Sequence, residues 1–547
     1  MTASTARSSA EINFDIVIVG AGFAGMYMLK RARDLGLSAR VFEAGQGVGG
    51  TWYWNRYPGA RCDIQSMEYS YQFSPELQQD WQWREKYATQ PELLAYAKHV
   101  AERFDLYRDM QFETRVESAH YEEQNGQWQI ATNDGRRVTA RYFVLATGCL
   151  SSTNKPAFNG LDDFHGEVYH TGEWPHACVD FSGKRVGVIG TGSSAIQSIP
   201  LIAEQAAALY VFQRTPNYAI PAHNEALDGE LVAEIKADYA NYRERNKTFP
   251  FGFYFTPNEK SALDVSAAER ERVFEAGWQV GGLGFMGIFA DLFNNPDANH
   301  LAAEFLAGKI RSIVRDPATA ALLTPATYVG CKRLCVDTNY FASFNLPQVH
   351  LVDVKAQPIA AITARGVKLA ASEYELDAIV FATGFDAMTG SIAKIDIRGR
   401  QGLPLGEKWA AGPRTYLGLQ TAGFPNLFTI TGPGSPSVLT NMIPSIEQHV
   451  NFIADSITAL EQAGLDTIEP TAAAEDAWVD HVNERAAETL FQSCNSWYLG
   501  ANVPGKPRVF MPYFGFPTYV EKCREVVAQD YAGFMRSHHQ ARRKAVA

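Results

Sequence analysis

The sequence predicts an α/β protein with two Rossmann-like dinucleotide-binding units, the second of which carries a helical insert. Two observations lead to it. A strand run Phe14–Val19, the turn Gly20-Ala21-Gly22-Phe23-Ala24-Gly25, a helical pattern and a strand 39–42 closed by Glu43 form the first unit. The order recurs as a strand 185–189, Gly190-Thr191-Gly192-Ser193-Ser194-Ala195, a helical pattern and a strand 209–212. Each unit also ends alike, residues 142–145 running into Ala146-Thr147-Gly148 and 379–381 into Ala382-Thr383-Gly384.

Each element has a physical reason. In the first turn Gly20 permits the tight bend, Gly22 lets backbone approach a pyrophosphate, and Gly25 packs helix on strand. The helix N-terminus that follows faces the phosphates. Glu43 is placed to take ribose hydroxyls. In the second unit Gln213 stands where Glu43 stands in the first, and Arg214 and Thr215 come next. A carboxylate repels a 2′-phosphate and a guanidinium binds it in two-pronged fashion, so the second site reads as one for NADPH. The pair together suggests FAD in the first unit and NADPH in the second.

Gly20 to Gly148 spans 128 positions and Gly190 to Gly384 spans 194, which is 66 more. The excess follows Pro221 and is patterned for helices. Ser266 and Glu269 form a capping box, Asn295-Pro296 reads as a helix start, and Leu301, Phe305 and Ile310 recur at helical spacing. The predicted organisation is a first FAD part at 1–150, a first NADP part at 151–220 and a helical insert at 221–331. The rest of the NADP unit follows at 332–384, and 385–547 returns to the FAD unit. The insert's aromatics are expected in its core. A further helix is predicted over 446–463, with Ser445 and Gln448 as its capping box.

Composition narrows the function classes. Lys and Arg number 49 against 60 Asp and Glu, a net charge of −11, which argues against broad nucleic-acid or anionic-membrane binding. Seven cysteines with no Cys-x-x-Cys point to reduced thiols, not to a disulfide framework, and to a cytoplasmic setting. Cys331 and Cys335, spaced for one helix face, read as structural thiols. Met1 to Asn13 is polar and has no apolar core of a secretory signal. The 32 residues from Thr415 to Ile446 carry no charge, yet their glycines and prolines would break a spanning helix. They read as buried irregular backbone, so no integral membrane association is expected. A monomer or weak homo-oligomer is expected.

No redox cysteine pair, metal-ligand spacing or haem motif supplies an electron acceptor. Oxygen is then the natural one, with the flavin carrying the difficult chemistry. The stretch from Phe164 to Pro175, with Gly166, His170 and Trp174-Pro175, fits F-x-G-x-x-x-H-x-x-x-W-P. A second motif runs Gly50-Thr51-Trp52-Tyr53-Trp54-Asn55-Arg56-Tyr57-Pro58-Gly59-Ala60-Arg61-Cys62-Asp63, and others cover Gly432 to Ser437 and Ser496 to Lys506. On these motifs the chain resembles the type I Baeyer-Villiger monooxygenases, class B flavoproteins, over about residues 12 to 535.

The resemblance implies NADPH- and O2-dependent oxidation of ketones to esters or lactones, through a flavin C4a-peroxide and a Criegee intermediate, with sulfoxidation as a side activity. It makes Arg333 the active-site cation and Asp63 the carboxylate that holds it. A peroxide kept deprotonated needs a permanent cation, and a buried guanidinium needs a partner. It further implies that Lys332 and Arg214, with Thr215 beside them, clamp the 2′-phosphate, and that Ser193, Ser194 and Gln197 lie along the nucleotide. Thr51, Trp52, Asp63, Tyr69, Val116 and Met442 fall at FAD contacts. Arg61 and Trp497 fall at NADP contacts, Trp497 on a closing loop. His170 reads as structural. The rival readings are an N- or S-oxygenating flavin monooxygenase, against which Trp174-Pro175 counts, and a non-catalytic NADPH-sensing flavoprotein.

Overall fold

The computed structural model describes residues 12–538, so most of the polar stretch Met1 to Asn13 lies outside the described residues. The first glycine turn leaves the strand Ile12–Val19, which lies between Ala39–Phe42 and Arg137–Leu145 and runs parallel to both. Ile18 faces Val41 on one side and Val144 on the other, and all three are fully buried. Strands covered on both faces need such unbroken apolar runs. Antiparallel strands Val116–Glu122 and Gln127–Thr132 extend the sheet beyond Arg137–Leu145. From the far end of the chain, Asp396–Arg398 and Leu427–Thr429 join this same sheet.

The second sheet is parallel throughout, in the order Val349–Asp353, Ala208–Gln213, Arg185–Ile189, Ala378–Phe381, Glu167–His170. The two units are closed by the same contact. Gly20 has φ +105° and a Cβ there would lie 2.6 Å from the Ala146 carbonyl oxygen. Gly190 has φ +120° and a Cβ there would lie 2.4 Å from that of Ala382. Each Ala-Thr-Gly ending therefore packs on a bend that only glycine makes without a clash.

The insert is helical, with Gly229–Ala237, Tyr239–Lys247, Ala267–Val280, Pro296–Ile313 and Pro317–Leu323. Its caps form as the sequence predicts. The Ser266 hydroxyl accepts from the Glu269 N–H at 3.2 Å and the Asn295 side-chain oxygen Oδ1 from the Asp297 N–H at 2.9 Å. The motif from Phe164 to Pro175 is also a folding motif. Its strand Glu167–His170 is the edge of the second sheet, and Trp174 is buried in a stack on Tyr169. His170 Nδ1 accepts from the Gly172 N–H at 3.0 Å, and burial lowers the ring's pKa, which keeps that acceptor neutral.

Three expectations change. The helix expected to begin at residue 446 is Met442–Gln462, capped by Asn441. Pro444 does not stop it, because the third residue of a helix has no intrahelical acceptor to lose. Cys331 and Cys335 do not share a helix, since residue 335 opens the strand Cys335–Asp337. Cys331 is not a free thiol either: it forms a disulfide with Cys494, 163 residues away, with the Cα atoms 6.1 Å apart. Local spacing gives no sign of a pair that only the tertiary fold brings within bridging reach. The uncharged stretch 415–446 is buried, largely irregular backbone around Leu427–Thr429 as far as Asn441, and its last five residues, 442–446, are instead the first turn of the helix Met442–Gln462. Among the described residues no helix is long and apolar enough to cross a membrane.

Candidate functional site

A continuous cleft of about 1460 Å³ runs along both glycine turns. From the first unit Gly20, Gly22, Glu43, Thr51, Trp52, Arg61, Asp63, Tyr69, Val116 and Met442 line it. From the second come Gly190, Thr191, Gly192, Ser193, Ser194, Gln197, Arg214, Thr215, Lys332 and Arg333, and Trp497 lines it as well. Gly25 does not reach the cleft: a Cβ there would lie 1.8 Å from the Gly20 carbonyl, so it serves close packing.

Glu43 is buried and accepts from the Ala21 N–H at 2.8 Å and the Gly45 N–H at 2.7 Å. Burial raises its pKa against the pull of these donors. Its counterpart Gln213 turns away, donating to the Leu322 carbonyl at 2.8 Å. The cleft wall is left to Arg214 and Lys332. Neither makes an ion pair among the described residues, and the Lys332 pKa is lowered first by burial and then by Arg214. Two uncompensated cations side by side make a site for a dianion.

Gln197 is engaged elsewhere. Its amide accepts from the Tyr57 hydroxyl at 2.8 Å and donates to the Arg61 carbonyl at 3.1 Å, tying the two units together. Arg61 itself pairs with Glu85 at 3.2 Å. Around the second turn the Thr191 hydroxyl donates to the Thr215 carbonyl, and Ser194 meets Thr171. These hydroxyls shape the turn. Trp52 and Tyr69 are at once core and wall: the indole N–H donates to the phenol at 3.3 Å while both line the cleft.

Arg333 is the most constrained cation of the site. Its Nε and Nη2 donate to one oxygen of Asp63 at 2.9 and 2.7 Å, and Nη1 to the Val438 carbonyl at 2.7 Å. A quarter of the side chain, 24%, stays open. Burial works against its charge, yet Asp63 and Tyr498 outweigh it and hold the proton above the ordinary arginine range. Behind Arg333 lies a small cavity of about 60 Å³. Phe251, Phe253, Leu283, Met286, Phe293, Phe491 and Tyr498 wall it, while Ile64, Arg333, Val438 and Thr440 line both spaces. Five of these wall residues come from the insert, whose aromatics were expected in its core. Leu283, Met286 and Phe293 pack there and also face the cavity, whereas Phe251 and Phe253 pack in the large apolar cluster of the first unit.

The flavin-binding monooxygenase-like family model matches residues 14–225. A Baeyer-Villiger monooxygenase of Pseudooceanicola batsensis is 45% identical over 530 residues, 96% of each chain. The chain belongs to the Baeyer-Villiger monooxygenase family. A phenazine N-monooxygenase of Lysobacter antibioticus is 42% identical over 528 residues, 96% of this chain and 97% of that one. An oxidised steroid monooxygenase bound to NADP superposes with a TM-score of 0.92 at 52% identity, over 96% of this chain and all of the other. The chain is thus an FAD-containing, NADPH-dependent monooxygenase, and its paired sheets are those of that enzyme class.

The residues present fit both dinucleotides of a Baeyer-Villiger monooxygenase. In the cleft the Ser496 hydroxyl and the Asn502 side-chain amide oxygen Oδ1 are buried without a hydrogen-bond partner, as polar groups awaiting a ligand are. The Thr440 hydroxyl, at the junction with the small cavity, is orphaned in the same way. Motif reading pointed to Arg333 and Asp63, and by resemblance to Ser437-Val438 as a substrate-lining loop, but not to the Val438 carbonyl as a partner of Arg333, nor to Thr440 or Tyr498. Tyr498 does lie in the Ser496 to Lys506 match. Glu43 gives a direct test. Glu43→Ala leaves the buried Ala21 and Gly45 N–H groups unpaired, at about 1–3 kcal/mol each. The variant is expected to lose most of its flavin on desalting, read as visible absorbance per mole of protein.

Proposed function

We propose that this protein oxidises ketones to esters or lactones with NADPH and O2, and that it prefers bulky or aryl ketones. The observation that carries the reading is Arg333, a guanidinium fixed by Asp63 and Val438 where the cleft meets an apolar cavity. FAD, held by Glu43, Thr51, Trp52, Tyr69 and Met442 along the first turn, supplies oxygen activation when bound. Arg214, Lys332 and Thr215 hold the 2′-phosphate of NADPH, with Arg61 and Trp497 along the rest of that cofactor. Asp63 orients Arg333, and Arg333 keeps a permanent positive charge where negative charge develops on the attacked carbonyl oxygen. The aromatic wall keeps water away from that charge and accepts an aryl or bulky substituent.

Oxidation of a nitrogen or sulfur atom is the rival outcome, given the 42% identity to a phenazine N-monooxygenase. Incubation of the yellow protein with NADPH, air and a ketone panel, read by mass spectrometry, separates them. Esters or lactones support the proposal. N-oxides or sulfoxides alone overturn it, and so does a stable flavin with no product, which would mark an NADPH sensor.

Thr440 offers a second test. Thr440→Val removes an orphaned buried hydroxyl and is expected to stabilise the ligand-free protein by about 1 kcal/mol in thermal unfolding. It is also expected to raise KM for ketones bearing a hydrogen-bonding substituent and to spare purely apolar ones. A cytoplasmic setting is supported by the unpaired thiols Cys62, Cys149, Cys178, Cys335 and Cys523.

A further inference from the structure

We infer that Cys331 and Cys494 form a reversible thiol–disulfide site whose oxidation fixes the Trp497 segment against the Arg333 turn. The pair joins two parts of the site that no continuous backbone connects. Cys331 precedes Lys332 and Arg333 directly, and Cys494 lies three residues before Trp497 and four before Tyr498. Tyr498 walls the small cavity beside Arg333, and Trp497 lines the cleft.

The Cys331 side is a rigid base. Asn299, fully buried, accepts from the Val329 N–H at 2.8 Å and donates back to the Val329 carbonyl at 2.9 Å. Beyond Cys494, Tyr498 and Leu499 are buried in the large apolar cluster, and the residues that follow are held by polar contacts. Asn502 donates to the Phe385 carbonyl at 2.8 Å, and Lys506 pairs with Asp386 at 2.5 Å. Such polar contacts exchange with water as a segment opens, and a covalent bridge does not. With the bridge in place, Cys494 cannot leave the Arg333 turn, so the segment that follows is tethered at its start and its opening is restricted. With two thiols the whole run from Cys494 to Lys506 opens as one unit.

The chemistry balances with a hydroperoxide as oxidant. One thiol loses its proton and the thiolate attacks hydrogen peroxide; the O–O bond breaks, a sulfenic acid forms, and the hydroxide that leaves takes up that proton as water. The second thiol then displaces water from that sulfur, so two thiols and one peroxide give one disulfide and two waters. A dithiol reverses the step through a mixed disulfide. An internal source of peroxide rests on the oxygen-dependent function proposed above. The bridge and its effect on the segment do not, and added peroxide tests them apart from it.

The experiment treats the flavin-loaded protein with hydrogen peroxide or with dithiothreitol, then blocks free thiols under denaturing conditions and maps them by mass spectrometry. Hydrogen exchange over residues 495–506 and release of NADP+ are followed on the same samples. In the oxidised sample Cys331 and Cys494 should escape blocking. Exchange over 495–506 and NADP+ release should each be about tenfold slower than in the reduced sample. Cys331→Ser and Cys494→Ser should each match the reduced protein and ignore peroxide. Equal blocking of both cysteines after peroxide overturns the inference, as does a formed bridge that leaves exchange unaltered. Failure to make esters in every sample, with exchange still following redox state, overturns the functional proposal and supports this one.

Discussion

Arg333→Ala is expected to lower ester formation by about 10³-fold while NADPH oxidation continues, since removing one preorganised donor from a developing oxyanion costs about 10²–10³. The size follows from how the side chain is spent. Two of its nitrogens are committed to Asp63 and a third to the Val438 carbonyl, so the charge is fixed in place before substrate arrives. Nothing need reorganise when charge develops. Arg333→Lys keeps a charge but not the fork, so it cannot hold Asp63 and Val438 together. It is expected to fall between wild type and alanine. Asp63→Ala leaves the guanidinium without its carboxylate, the costly way to break a buried pair. It should lose product formation together with thermal stability, whereas Arg333→Ala should keep its flavin. Ester yield per NADPH consumed, by gas chromatography, is the deciding measurement. An unchanged yield in Arg333→Ala would remove this residue from the chemistry.

How much of this was legible in the sequence depends on the range of each interaction. The two glycine turns and the strands Ala39–Phe42 and Arg185–Ile189 follow from local pattern, because a glycine bend between an apolar run and a helix is specified within ten residues or so. The insert's caps at Ser266 and Asn295 are local too. The helix beginning at Met442 was harder, since proline reads as a stop until its position in the first turn is known. Long-range partners left no local signal. The Val438 carbonyl meets Arg333 from 105 residues away and Cys494 meets Cys331 from 163 away. Gln197 shows the opposite failure. It sits at a nucleotide-binding position by spacing, yet its amide bridges Tyr57 and Arg61, a use that only the meeting of the two units reveals.

The second large effect is expected at the 2′-phosphate. Replacing both Arg214 and Lys332 with alanine should lower kcat/KM for NADPH by about 10³-fold, since hydrogen bonds to charged groups are worth about 1.5–3 kcal/mol each. NADH, which lacks that phosphate, should be nearly unaffected, so the ratio of the two kcat/KM values collapses. The pH dependence carries the sharper signature. Burial, and after it the neighbouring Arg214, lowers the Lys332 pKa in the free protein. A bound dianion favours the charged lysine and raises that pKa again, so NADPH binding takes up a proton on the alkaline side. Affinity is therefore full below the lowered pKa and declines as pH rises through it, beginning below the ordinary lysine range. Arg214→Ala removes one of the two causes, so this decline should move to higher pH even as overall affinity falls. A bystander arginine would shift neither. A Kd for NADPH whose alkaline decline stays fixed in Arg214→Ala would show that the two cations do not share one phosphate.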